Sequence, residues 1–183
     1  MRSQTLCWCS WQLIGGILMP MLLATGCASY QFGSRSIFRD DVRTVYVPVA
    51  RNDTFRHDVG PRLTEAVIRQ IELRTPYKVT GDPAADSTLM IRVTRETKQV
   101  LTRAGTNEPR ALDAVASAVI SWTDRRGEPI LQNQQVIEAT LATELTQGAR
   151  FVPEAGQSME TALQATIDDL ADQIVSQMEL RWL

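Results

Sequence analysis

The chain has 183 residues, is 44% hydrophobic and 22% charged, and therefore has the composition and length of one ordinary folded domain. Its formal net charge of −2 argues against a nucleic-acid partner, because proteins that bind phosphate backbones normally carry a strongly basic face. The single histidine, His57, has no second histidine or paired cysteine to complete a usual zinc ligand set, so no metal site is predicted.

The first 26 residues have the order of a secretory signal peptide. Arg2 supplies a short positive region, an apolar run follows from Leu13 to Ala24, and small residues come next. The run is shorter than the roughly 20 apolar residues that a spanning helix needs, and Pro20 interrupts it. We therefore expect residues 1–26 to be removed rather than to span a membrane.

The stretch from Leu22 to Cys27 resembles a bacterial lipobox, in which the cysteine is acylated on sulfur and becomes the new N-terminus. The resemblance implies lipidation at Cys27 and attachment to a bilayer through the acyl chains alone. Ala28, where an aspartate would retain enterobacterial lipoproteins, implies sorting to the outer membrane. The alternative is an ordinary signal peptide that is cleaved near a cysteine. After cleavage Cys27 would be the only cysteine, which excludes an intramolecular disulfide.

The rest of the chain divides into a lipid anchor and tether, residues 27–42, and a single domain, residues 43–183. The domain opens with a β-branched run from Arg43 to Val49, which predicts the first strand. Alternation along that strand predicts one apolar face formed by Val45, Val47 and Val49.

Two helices are predicted from apolar residues that recur every three or four positions. The first begins at Gly60-Pro61 and ends before Thr75-Pro76, because the residue before a proline disfavours the helical conformation. The second begins after Ser158, an expected N-cap. Each helix should bury one stripe, formed by Leu63, Val67 and Ile71 in the first and by Met159, Leu163, Ile167, Leu170, Ile174 and Met178 in the second.

The remaining alternating segments predict strands, with a hairpin turn at Asp124-Arg125-Arg126-Gly127 and a second loop marked by Gly148, Pro153 and Gly156. The predicted strands are 77–80, 87–100, 111–122 and a return strand from Pro129 to Leu145. This order predicts an α+β fold, in which both helices pack on one face of a mainly antiparallel sheet of about four strands.

Catalytic residues and cofactors are not predicted, because the chain shows no nucleophile with its base, no phosphate loop and no metal cluster. His57 and Asp58 are adjacent in sequence and are expected to be a solvated loop pair rather than a dyad. Asp82 and Asp86 flank Pro83 and are expected to cap turns.

Three basic residues of the long strand, Arg92, Arg95 and Lys98, have two interpretations. The ordinary one is a charged edge strand that resists mispairing. The other is an anion-binding strip that pairs with phosphate groups of a glycolipid. Strict alternation puts Arg92 and Arg95 on opposite faces, so a regular strand would not gather all three cations in one patch.

A series of short motifs, taken in order, resembles the LptE family of lipopolysaccharide-assembly lipoproteins of the outer membrane. After the lipobox the motifs are Tyr30, Gly33, Arg43–Pro48, Asn52–Phe55, Leu63–Ala66, Arg74–Tyr77, Ala85–Leu89 and Val119–Asp124.

The resemblance implies a non-catalytic α+β lipoprotein at the periplasmic face of the outer membrane. Such a protein plugs an LptD-like β-barrel, assists its assembly and contacts lipopolysaccharide. Cys27 matches the acylated cysteine of the family, whereas Arg92, Arg95 and Lys98 are candidate lipopolysaccharide contacts by chemistry and strand position only.

Two other functions stay open at this point. The run from Thr44 to Pro48, followed by a helix, also looks like the N-terminal unit of periplasmic lipoproteins that regulate a cell-wall synthase or assemble a secretion pore. A hydrolase that uses His57 and Asp58 is the third hypothesis.

Overall fold

The computed structural model describes residues 37–103, 109–131, 135–137 and 140–179. The predicted leader and most of the tether, including Cys27, lie outside these ranges. Among the described residues, no helix is long and apolar enough to cross a bilayer. The elements are β1 Thr44–Tyr46, β2 Arg51–Asn52, α1 Val59–Arg74, β3 Lys78–Thr80, β4 Ser87–Arg103, β5 Pro109–Asp124, β6 Gln135–Ile137, β7 Thr140–Phe151, a 3-10 turn Pro153–Ala155 and α2 Met159–Ser176.

The strands form a mixed sheet in the order β3-β1-β4-β5-β7-β6, and β2 follows β1 along the same edge of β4. β1 pairs in parallel with β3 and β4, while β4, β5, β7 and β6 pair antiparallel. The α+β class is confirmed, but the predicted sheet of about four mainly antiparallel strands is wrong in both details. Because α1 carries the chain back to the starting end of the sheet, β3 runs parallel to β1.

β1 is shorter than the predicted first strand. Val45 and Val47 are buried, whereas Val49 is 67% exposed, so the prediction that Val49 shares their buried face is wrong. Pro48 has no N–H to donate to a ladder, and pairing resumes only at Arg51. The segment between the two strands is instead hydrogen-bonded to α1, since the Ala50 N–H donates to the Thr64 hydroxyl at 2.8 Å.

Both helices bury the predicted stripes. Leu63, Val67 and Ile71 of α1 are fully buried, as are the central residues of the α2 stripe. The Ser158 hydroxyl caps α2 by accepting a hydrogen bond from the Thr161 N–H at 3.1 Å. These positions confirm that the 3.6-residue periodicity identifies the core-facing side of each helix.

The two helices lie side by side and run in the same direction, since ion pairs connect their corresponding ends. Near the N-terminal ends, Arg56 pairs with Glu160. Near the C-terminal ends, Arg74 pairs with Asp172 and also with Glu179, at 3.0 Å. The helix pair therefore covers the sheet as one layer.

The face of the sheet under the helices contains small side chains where α2 approaches it. Ala114, Ala116 and Ala118 of β5 are at most 1% exposed. Because these side chains are short, the buried Thr166 hydroxyl lies 2.8 Å from the Ala114 carbonyl oxygen. It also accepts a hydrogen bond from the Ala149 N–H at 3.0 Å. One helix hydroxyl thus bridges backbone groups of β5 and β7.

The predicted hairpin turn is confirmed, but the strand after it is not continuous. Gly127 has a φ of 81°, and its N–H donates to the Asp124 carbonyl at 3.0 Å. On the side away from β4, the partner of β5 is β7, which runs to Phe151 instead of ending at Leu145. Gly148 lies inside β7, where a Cβ would come within 3.2 Å of a Val115 methyl group, so it permits a close approach rather than a loop.

Asp86 connects β1 to the start of β4. Its carboxylate accepts hydrogen bonds from the Arg43 N–H at 3.2 Å and from the Thr44 N–H and hydroxyl at 3.1 and 3.0 Å. The other carboxylate oxygen accepts from Arg125 at 3.1 Å. The Thr44 hydroxyl and these backbone donors lower the pKa of Asp86. Asp86 is therefore a link between three segments rather than the predicted turn cap, whereas Asp82 does cap its turn by accepting a hydrogen bond from the Ala84 N–H at 2.9 Å.

Candidate anion-binding face

The face of the sheet opposite the helices, called the outer face below, is formed by alternate residues of β4 and β5. Met90 and Arg92 project from β4 beside Ser121 and Val119, their partners on β5. Cross-strand partners share a face, and the intervening residues of both strands belong to the buried core. The outer face therefore mixes apolar, hydroxyl and cationic side chains.

A β-bulge at Thr94 changes which cations share this face. Val93 pairs with Ala118 and Arg95 pairs with Ser117, so Thr94 is an extra residue on β4. Ser117 is on the same face of β5 as Val119, the partner of Arg92. Arg92 and Arg95 therefore lie on one face, and the prediction that they lie on opposite faces is wrong.

Lys98 lies on the other side of the sheet. Its partner is Ala114, whose carbonyl is in contact with α2, so Lys98 belongs to the helix side although its own side chain is exposed. The structure thus brings Arg92 and Arg95 together and separates Lys98 from them. The cause is the one-residue shift at the bulge, which a regular alternation does not contain.

Arg51 is a further cation of the outer face that the sequence did not indicate. It lies in β2 directly opposite Arg92, and its side chain is exposed. In the sequence Arg51 is marked only by its position after an apolar run, and that run does not indicate that β2 pairs with β4. Parallel pairing of two distant segments is what adds Arg51 to the face.

A groove of about 310 Å³ crosses the outer face from β2 to the β6-β7 hairpin. Two guanidinium groups lie on one side of the groove, and its lining is otherwise mainly apolar. The residues that line it are Arg51, Met90, Ile91, Arg92, Val119, Ser121, Ile137 and Ala142. A site with these properties suits an anionic amphiphile, whose phosphate would meet arginine while its hydrocarbon meets Met90 and Val119.

The charges around the groove are mixed rather than uniformly positive. Arg92 forms an ion pair with Asp53, which holds its guanidinium beside the groove. Further along the outer face, Arg150 lies 3.7 Å from Asp113. Within the described ranges, Arg51 and Arg95 form no ion pair and are the cations most available to an incoming anion.

His57 and Asp58, the pair considered for a hydrolase, do not form a dyad, because the Asp58 carboxylate interacts with arginines. The Asp58 carboxylate accepts a hydrogen bond from Arg62 at 2.8 Å, which lowers the pKa of Asp58. Arg56 lies 3.9 Å away on its other side. His57 is exposed, so this loop is organised by arginine-carboxylate pairs at the start of α1. The part of the chain that the structure describes contains no group of three or more metal-ligating side chains.

A family model described as LptE, lipopolysaccharide-assembly, matches residues 42–178. No curated protein matches the sequence. The match spans every helix and strand described above.

Solved structures of bacterial proteins share the fold at low sequence identity. Lipoprotein B from Nitrosomonas europaea is 15% identical, with a TM-score of 0.52 over 81% of this chain and 89% of that chain. The rare lipoprotein B from Shewanella oneidensis is 11% identical, with a TM-score of 0.50 over 74% and 93%. The protein CT253 from Chlamydia trachomatis is 7% identical, with a TM-score of 0.50 over 75% and 98%.

Proposed function

The chain belongs to the LptE lipopolysaccharide-assembly family, and from that premise we propose that it is a non-catalytic plug and assembly partner of an LptD-like β-barrel. In this role it also contacts lipopolysaccharide on its way to the cell surface. The observation that carries the proposal is the family match over residues 42–178, which includes the whole sheet and both helices.

The proposed anchor is acylated Cys27 at the periplasmic face of the outer membrane. About ten residues separate Cys27 from Ile37, where the described domain begins. A fully extended chain of that length spans at most about 35 Å. The tether would therefore keep the domain beside the membrane that holds its barrel partner.

The proposed lipopolysaccharide contacts are Arg92 and Arg95, with Arg51 as an addition from the structure. Lipopolysaccharide combines phosphate groups with acyl chains, and the groove combines guanidinium groups with an apolar lining. Guanidinium binds phosphate through paired, charge-assisted hydrogen bonds. Lys98 remains a predicted contact, but it would have to act from the opposite side of the sheet.

The barrel partnership is tested by extracting the tagged full-length protein from membranes in mild detergent. We expect an LptD-like barrel to co-purify in stable proportion with the wild-type chain. A clean preparation that contains no barrel would overturn the partnership. Labelling with radioactive palmitate, in wild type and Cys27→Ser, tests the anchor separately, since only wild type should incorporate the label.

The glycolipid contact is tested by binding of purified lipopolysaccharide to the full-length protein in detergent. Replacing both Arg92 and Arg95 with glutamine should weaken binding about tenfold or more, because each arginine supplies charge-assisted hydrogen bonds. Arg95→Gln and Lys98→Gln form a matched pair of single variants, because each removes one positive charge from β4 but on opposite sides of the sheet. Equal losses in both variants would show a general charge effect and contradict a contact at the outer face.

Depletion of the protein separates this proposal from the synthase regulator or secretion pore. An export plug should reduce lipopolysaccharide at the cell surface, whereas a synthase regulator should alter incorporation of peptidoglycan precursors. Normal surface lipopolysaccharide after depletion would reject the export role.

A further inference from the structure

Two arginines of the outer face lie directly opposite each other on neighbouring strands. β2 runs parallel to β4, and the register places Arg51 opposite Arg92. Both residues line the groove. Neighbouring strands are about 4.8 Å apart, so two like charges at opposite positions repel each other. The arrangement therefore costs stability unless an anion lies beside it.

Asp53 neutralises part of this positive charge. Its carboxylate accepts a hydrogen bond from the Nε–H of Arg92 and forms an ion pair with that guanidinium. The side chains of Arg92 and Asp53 are 37% and 35% exposed, so an anion from solution can reach the pair. Arg51 is exposed beside them. An incoming anion would meet two guanidinium groups and would compete with one carboxylate.

The backbone that carries Arg51 and Asp53 is fixed by local hydrogen bonds. The Asp53 N–H donates to the Val93 carbonyl of β4 at 3.0 Å. The Asn52 side-chain oxygen accepts from the N–H and the hydroxyl of Thr54, at 3.0 and 2.7 Å. Groups that are already held in place lose little conformational entropy when a ligand binds. The two charged side chains therefore start from a prepared position.

The charge balance at this end of the groove suits a phosphate monoester. Arg95 lies on the same face as Arg92, so three arginines and Asp53 together leave two positive charges. A phosphate monoester carries between about 1.5 and 2 negative charges at pH 7 and offers three acceptor oxygens. A carboxylate or a phosphate diester carries one negative charge and would only replace Asp53. The balance thus favours the monoester.

We propose that Arg51 and Arg92 bind one phosphate monoester group between them, and that Asp53 is their counter-ion in the free protein, which the phosphate displaces. The oxygens of the phosphate accept paired, charge-assisted hydrogen bonds from the guanidinium groups. This inference deepens the proposed lipopolysaccharide contact by naming the chemical group that is bound and the side chain that competes with it. It rests on the proposed function only for the source of the phosphate.

The exchange requires stability and binding to change in opposite directions. Asp53→Asn leaves the arginines without their counter-ion, so the unfolding midpoint should fall by about 1–3 °C while phosphate affinity rises about threefold or more. Arg51→Gln removes the repulsion, so the midpoint should stay at or above that of wild type while most of the phosphate affinity is lost. A merely structural ion pair would change stability alone.

Thermal unfolding of the full-length protein in non-ionic detergent tests the exchange. Inorganic phosphate or phosphatidic acid is titrated at constant ionic strength, and the rise of the midpoint gives the apparent affinity. Added phosphate should remove the stability deficit of Asp53→Asn and should have little effect on Arg51→Gln.

Glu144→Gln is the matched control, because it removes one negative charge from the same face. Glu144 is separated from Arg92 by β5 and therefore lies roughly 10 Å away, beyond the screening length of about 8 Å in 0.15 M salt. This variant should respond to phosphate as wild type does. A response of Glu144→Gln as large as that of Asp53→Asn would show a general charge effect and overturn the role of Asp53.

The choice of probe separates a lipid-borne phosphate from a soluble one. Phosphatidic acid should stabilise the protein at lower concentration than inorganic phosphate, because its acyl chains can occupy the apolar part of the groove. Phosphatidylglycerol, whose phosphate is a diester, should stabilise it less than phosphatidic acid. An inorganic phosphate response as large as that to phosphatidic acid would support the arginine pair and assign it to a soluble phosphate.

Three results would overturn the proposal: no response of wild type to either phosphate probe, an unchanged response in Arg51→Gln, or equal responses to the monoester and diester lipids. A phosphate response in a protein that does not bind purified lipopolysaccharide would reject the glycolipid contact and support the phosphate site. The failure of this inference and the failure of the proposed function are therefore distinguishable.

Discussion

The two faces of the β4-β5 pair are built from the same two strands but have different physical roles. Under the helices the side chains are apolar, small where α2 approaches, and almost fully buried. On the outer face, arginine and hydroxyl side chains alternate with valine and methionine around a groove. The contrast places the most buried contacts of this strand pair on the helix side and leaves the outer face as the candidate binding surface.

The largest expected effect on stability comes from truncating a side chain on the helix side of β5, compared with truncating its neighbour on the outer face. Ile120 is fully buried under the helices, and Val119 lines the groove. Ile120→Ala should lower the free energy of unfolding by about 2–5 kcal/mol, because it removes buried methyl groups and leaves a cavity. Val119→Ala should cost less than about 1 kcal/mol, because its side chain is only partly buried and lines the groove.

Denaturant unfolding of both variants measures this difference. Similar losses at the two positions would contradict the assignment of the helix side as the stabilising face.

A smaller effect is expected from removing hydroxyl groups on the two faces. Thr166→Val should cost about 1–3 kcal/mol, because it leaves the buried Ala149 N–H without its acceptor and the Ala114 carbonyl without a donor. Thr146→Val is the control on the outer face, where the hydroxyl lies 2.9 Å from that of Ser117 and its residue is exposed. There only the buried Ser117 hydroxyl loses a partner and no backbone group does, so the unfolding midpoint should shift less than in Thr166→Val.

Asp86 supplies a pH-dependent contribution at the end of the sheet where β1 meets β4. Its pKa is lower in the folded state than in the unfolded chain, so its hydrogen bonds stabilise the fold fully at neutral pH. This stabilisation is lost as the pH falls below about 4 and the carboxylate becomes protonated.

Asp86→Asn should therefore reduce stability at pH 7 and flatten the acid limb of the stability curve. Thermal unfolding of wild type and Asp86→Asn between pH 7 and pH 3 measures this. An unchanged slope in the variant would mean that other carboxylates produce the acid response.

The smallest effect on stability is expected from Arg95→Gln. Arg95 is exposed and has no ion-pair partner among the described residues, so the free energy of unfolding should stay within about 0.5 kcal/mol of wild type. Lipopolysaccharide binding should nevertheless weaken. A variant that lost stability without losing binding would reverse the roles assigned to the two faces.

The sequence was most informative where burial follows a simple period. The stripes of α1 and α2, the Ser158 cap and the turn at Gly127 all lie at their predicted positions, because each depends on local geometry. The alternation Leu89, Ile91 and Val93 likewise identified the buried side of β4.

What the sequence could not show depends on pairing between distant segments. The residues of β1 and β2 do not indicate which strand they pair with, so their parallel pairing with β4 and the position of Arg51 were not predictable. Glycine is common in turns, but Gly148 lies within β7, where its lack of a side chain allows β5 and β7 to approach closely. The binding role of Arg92 and Arg95 and the lipidation of Cys27 remain predictions.

The bulge at Thr94 also has a consequence for how the length of this chain can change. An extra residue inside a strand would normally turn every later side chain to the opposite face. Here the extra residue, Thr94, is accommodated in the bulge. Arg95 and the residues after it therefore point to the same faces as they would in a regular strand that lacked Thr94. Deleting Thr94 would straighten β4 without exchanging its faces, whereas deleting a residue from the regular segment beyond it would exchange the faces from that point to the tip.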